Sequence, residues 1–129
     1  MNYRDKILFS SIFDIKGQFL IIKGISHRRY RPRIELSIDN NRIMIFLYYY
    51  LNKYLPSIHI KHVRKTILTI DDNKNVLPLL LYIKDYIQFN KKEVELLIKF
   101  IYHRIELNKK IYDEKDEEFY KLLKTINHE

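Results

Sequence analysis

Between residues 30 and 39 the chain alternates apolar and polar side chains with a period of two. Ile34, Leu36 and Ile38 fall on one side of an extended strand, and Arg33, Glu35 and Ser37 on the other. A strand of this kind is stable when one face packs on a core and the other meets water. The chain must therefore supply helices to cover the apolar face, and Arg31 and Arg33 are expected on the open one.

The flanking sequence supplies these partners. Residues 18–25, QFLIIKGI, read as a strand, and SHRR at 26–29 as the turn of a hairpin. Before them, Ile7, Leu8, Ser11 and Ile12 recur at helical spacing until Gly17 breaks the helix. Asn40 or Asn41 can cap a helix that runs to about Leu55 and stops before Pro56. Residues 57–63 and 65–70 read as a second pair of strands. Residues 71–75 read as a loop and helix start, and 76–86 as a helix with Pro78 in its first turn. Asn90-Lys91-Lys92-Glu93 has the form of a capping box before a helix carrying Val94, Leu97, Ile98, Ile101 and Ile105. A strongly charged stretch at 108–118 precedes a short helix over 117–126. The expected order is α-β-β-α-β-β-α-α-α. It forms one domain over 1–129, with its core at about 3–107 and a charged segment and short helix at 108–129.

Composition narrows the function. The 129 residues carry a formal net charge of +8, which favours a polyanionic partner, nucleic acid before membrane. There is no cysteine, so disulfides and thiolate metal sites are excluded. No apolar run approaches the roughly 20 residues of a membrane span, and no signal or transit peptide is seen. Alanine is absent while Ile, Asn, Lys and Tyr abound. This bias toward A/T-rich codons suggests a mitochondrion or another organelle with an A/T-rich genome.

At the first helix and its break the chain reads Phe9-Ser10-Ser11-Ile12-Phe13-Asp14-Ile15-Lys16-Gly17. This segment resembles the L-A-G-L-I-D-A-D-G motif of the LAGLIDADG homing endonucleases. Phe9, Ile12 and Phe13 match its apolar positions, and Ser10 and Ser11 its small ones. Asp14 matches the first acid and Gly17 the closing glycine. The order of elements after the motif is also the family's, and YIQFNKKEVELLIKFI at 86–101 is similar to its helix-opening segment. The resemblance implies an α/β (α+β) domain of αββαββα type, with an antiparallel saddle-shaped sheet and C-terminal helices. In the family two motif helices pack side by side, and their last acid holds the divalent metals that cleave DNA.

Two positions depart from that pattern. The metal-binding acid is replaced by Lys16, whose ammonium offers only donors. Ser10 and Ser11 are small but less so than the family's Ala and Gly, which weakens a tight helix pair. Asn90 falls where family members often carry basic residues near the active site, and is read here as a helix cap. The expectation is therefore a protein without catalytic residues, metal or other cofactor.

The candidate nucleic-acid contacts are basic. Lys16, Lys23, Arg28, Arg29, Arg31 and Arg33 lie on or beside the first hairpin with no acid among them, and Lys61, Arg64 and Lys65 on the second. Arginine forks suit phosphates and base edges, and the plainer alternative is a solvated basic face. His59 and His62 point to opposite faces of a strand and make a poor metal pair. The reading is an inactive binder of structured RNA, favoured over duplex DNA, in an organellar ribosome or splicing particle. The alternatives are a homodimeric DNA homing endonuclease, and a scaffold that binds another protein through the motif helix around Ser10, Ser11, Asp14 and Gly17.

Overall fold

A computed structural model describes residues 3–24, 30–107 and 113–127. The elements run α1 (Tyr3–Lys16), β1 (Gly17–Lys23), β2 (Tyr30–Ser37), α2 (Asn41–Tyr54), β3 (Lys61–Arg64), β4 (Ile67–Asp71), α3 (Asn73–Ile83), a 3-10 turn (Lys84–Tyr86), α4 (Lys91–Glu106) and α5 (Glu114–Asn127). The order of helices and strands is the expected one. The four strands form one antiparallel sheet in the order β1-β2-β4-β3.

The period-two pattern sets the faces of this sheet. Phe19 pairs with Ile34, Ile34 with Ile70, and Leu36 with Leu68. All are buried, and α1, α3, α4 and α5 pack against β1, β2 or β4. Helix α2 joins the core through Tyr50, which stacks on Phe9 at 4.3 Å and shares a hydroxyl hydrogen bond with Tyr82. Burial and the Tyr82 hydroxyl push the Tyr50 phenol well above its usual range. Pro32 is tolerated in the inner strand β2 for a local reason. Its carbonyl accepts from Asp72 N just past the end of β4, so its missing N–H falls where no ladder bond is needed.

Gly17 joins α1 to β1 at a point that admits no side chain. A Cβ there would lie 2.4 Å from the Phe13 carbonyl oxygen. Asn40 caps α2, its side-chain oxygen accepting from Arg42 N and Ile43 N.

Several boundaries and faces differ from expectation. Helix α1 buries Phe9, Ser10, Ile12, Phe13 and Asp14, whereas Ile7 and Leu8 are exposed. Its apolar residues lie all around the helix, so spacing alone does not select the buried side. Strand β3 covers only Lys61–Arg64. Ile58 is buried, as the strand pattern implies, but its N–H bonds to Leu55 O and that of His59 to the Asn75 side chain, which takes them out of the ladder. Helix α3 begins at Asn73, not Val76, which places the exposed Pro78 beyond the first turn. Helix α5 begins at Glu114, because Asp113 and Asp116 form a reciprocal cap: each carboxylate accepts the other's backbone N–H. It packs on β1 and α4 and adds Leu123 to the core, so the core extends beyond residue 107.

Candidate nucleic-acid interface

The open face of the sheet follows from the register. Ile22 faces Arg31, Leu20 lies beside Arg33 and Asp71, and Gln18, Glu35, Thr69 and Lys61 form the next row. Ser37, Ile67 and Arg64 complete it. Arg31, Lys61 and Arg64 are exposed, as is Lys65 in the β3–β4 turn. Arg33 is partly committed: its Nε donates to Asp71 Oδ1 at 2.6 Å, and Asp71 is itself buried. The guanidinium still lies on the open face but neutralises an acid of the same face. Arg31, Lys61 and Arg64 therefore carry the surplus positive charge, with Glu35 as the remaining acid.

Lys23 does not join this face. It stands on the helix side at the sheet edge, 3.0 Å from Glu117 Oε2 and over the rings of Tyr30 and Tyr120. The Tyr30 hydroxyl also donates to Glu117. The Tyr30 hydroxyl and then the Lys23 ammonium hold the Glu117 carboxyl below its usual range. Lys23, expected among the phosphate contacts, thus ties β1 to α5 on the side away from Arg31, Lys61 and Arg64. Parity along the strand is the signal for its face, since Lys23 shares the side of Phe19 and Ile21. Arg28 and Arg29 lie outside the described residues.

At the end of α1, Lys16 is exposed and Asp14 is buried. The Asp14 carboxylate anchors the turn that leads into α4. It accepts from the backbone N–H groups of Gln88 at 2.7 Å, Phe89 at 3.0 Å and Asn90 at 3.0 Å. The Asn90 side-chain amide donates to the same carboxylate and, at 2.7 Å, to the Asp14 carbonyl. Burial raises the Asp14 pKa, but these hydrogen bonds outweigh it and hold the carboxyl below the usual range. The capping-box pattern assigns the cap of α4 to the Asn90 side chain, yet Asn90 makes no capping bond of its own; its amide turns instead to Asp14, which holds the N–H groups of the turn that leads into the helix. The partners of Asp14 in this latch are not legible in the sequence, because its two halves are far apart in the chain. Ser10 and Ser11 return their hydroxyls to the carbonyls of Lys6 and Ile7, each at 2.8 Å.

The donor set at this helix end does not fit a divalent metal. Lys16 offers only N–H donors, and each oxygen of Asp14 already accepts at least two N–H bonds, which fills its lone pairs. Elsewhere, His103, Asp113 and Asp116 bring a ring nitrogen and two carboxylate oxygens together.

No family model and no curated protein sequence matches the chain. Solved structures do. The I-SmaMI meganuclease bound to uncleaveable DNA superposes with a TM-score of 0.70 at 16% identity, covering 100% of this chain and 46% of that one. The I-SmaMI LAGLIDADG homing endonuclease bound to cleaved DNA gives 0.64 at 12% identity over 95% of this chain and 42% of that one. The homing endonuclease I-CvuI in complex with its target gives 0.58 at 13% identity over 78% and 69%. The chain thus spans less than half of the I-SmaMI chain. These matches overturn the expectation of a non-enzyme. The fold is one on which DNA-cleaving proteins are built, and a single lysine at one motif position does not establish that activity is lost. The agreement of backbone and element order, reached at such low identity, shows that this protein has the LAGLIDADG homing-endonuclease fold.

Proposed function

We propose that the protein binds duplex nucleic acid along the open face of its sheet. The observation that carries this reading is the placement of Arg31, Lys61 and Arg64 on one solvent-facing surface of a sheet whose opposite side carries the core residues of β1, β2 and β4. A cationic sheet face attracts phosphates, and arginine can also read base edges. The structural neighbours are complexes with DNA, which supports duplex DNA as the first partner. Structured RNA, the partner expected from the sequence, rests on the same basic residues, which suit either duplex.

Binding is tested by titrating the protein with duplex DNA and with structured RNA over a salt series. The expected slope of log affinity against log salt is negative. Replacing Arg31, Lys61 and Arg64 by Gln should make it shallower, by roughly one unit for each phosphate left without its cation. The DNA arm should bind more tightly. Tighter RNA binding with the same slope change would move the assignment to RNA. Unchanged binding in the triple variant would leave the sheet face as a solvated surface and overturn the proposal.

A further inference from the structure

The junction of α4 and α5 holds a group of side chains that the nucleic-acid reading does not use. His103 lies in the last turn of α4, and Asp113 and Asp116 cap the start of α5. His103 Nε2 is 3.1 Å from Asp113 Oδ1 and 3.7 Å from Asp116 Oδ1. Ligands bound at 2.0–2.2 Å around a tetrahedral ion stand roughly 3.4 Å apart, so these separations bracket what such an ion needs.

The helix cap explains only part of the arrangement. Asp116 Oδ2 accepts from Arg104 Nη1 at 2.8 Å and from Asp113 N at 2.9 Å. Asp116 Oδ1 is different. Asp116 is 0% exposed, and among the described residues this oxygen takes no hydrogen bond. A buried carboxylate oxygen without a partner is costly, and a bound ion is one of the few things that satisfies it. It lies within 4.8 Å of both other ligand atoms. Asp113 is exposed and opens the group to solvent, while Arg104 holds the far oxygen of Asp116 and fixes its orientation. One imidazole nitrogen with two carboxylates is a donor set for zinc more than for magnesium or calcium, which favour all-oxygen shells.

We propose that His103 Nε2, Asp113 Oδ1 and Asp116 Oδ1 form a binding site for a single zinc-class divalent ion that clamps α5 to α4. The site is remote in sequence from the α1 motif and stands independently of the nucleic-acid reading.

The test uses the full chain with Zn²⁺ followed by calorimetry and Co²⁺ followed by its visible absorption. One equivalent of Zn²⁺ should bind, Co²⁺ should give tetrahedral ligand-field bands, and Mg²⁺ in excess should displace neither. His103→Ala should weaken Zn²⁺ binding by at least about 100-fold, the upper end of what losing even an outer partner costs. A variant with His27, His59, His62 and His128 all replaced by Ala should bind as the parent does. Ring-proton NMR of the parent keeps the test decisive if His103→Ala misfolds, since Zn²⁺ must shift the His103 resonances. No saturable Zn²⁺ binding, or binding that leaves those resonances unmoved, overturns the proposal.

Discussion

Replacing Asp14 by Ala removes the carboxylate that anchors the turn before α4, and the structure sets the size of the loss. Three consecutive backbone N–H groups, of Gln88, Phe89 and Asn90, lose their acceptor. A hydrogen bond to a charged group contributes about 1.5–3 kcal/mol, and a buried donor left unpaired costs about 1–3 kcal/mol. Gln88 and Phe89 are exposed, so water replaces the carboxylate there, whereas Asn90 is half-buried and also loses a side-chain partner. The full penalty falls on Asn90 and a smaller one on the other two, for a total of about 3–4 kcal/mol. Loss of a negative charge from a helix N-terminus acts in the same direction.

Urea denaturation at neutral pH measures this loss, with Asp39→Ala at an exposed position as the reference, expected within about 0.5 kcal/mol of the parent. The pH dependence gives a second reading. The folded Asp14 pKa lies below its unfolded value of about 3.9. In that interval the unfolded chain binds more protons, so stability rises with pH. The contribution is complete above the unfolded value and is lost as pH falls through the folded one. Asp14→Asn should flatten this acid limb. A loss at Asp14→Ala no larger than at Asp39→Ala, or an unchanged acid limb in Asp14→Asn, would refute the latch.

Two further outcomes follow from the fold. Leu36→Ala, at a fully buried position of β2, should cost about 2–5 kcal/mol, and Arg31→Ala on the open face within about 0.5 kcal/mol; equal losses in urea denaturation would mean that the strand faces are reversed. Asp72 precedes α3 with φ of 75°, a conformation suited to glycine. Asp72→Gly should therefore raise stability by about 1 kcal/mol, and a lower melting temperature would show that this backbone is unstrained.

Local periodicity and stop signals are enough to specify the order of helices and strands in this chain. The alternation of Ile34, Leu36 and Ile38 with Arg33, Glu35 and Ser37 is a statement about two faces, and the register places those faces as the pattern demands. Asn40 before α2 and Gly17 after α1 act through their nearest neighbours, so their roles are readable in place. What the chain does with its polar side chains is decided by tertiary structure. Asp14 reaches Asn90, Lys23 reaches Glu117, Arg33 reaches Asp71 and His103 reaches Asp113 only because the packed helices and strands bring distant segments together. Strand parity puts Lys23 on the helix side, but nothing within a few residues of it names Glu117 as its partner. Burial of apolar groups is periodic along the chain, while the pairing of charges depends on which side chains the folded core leaves facing one another.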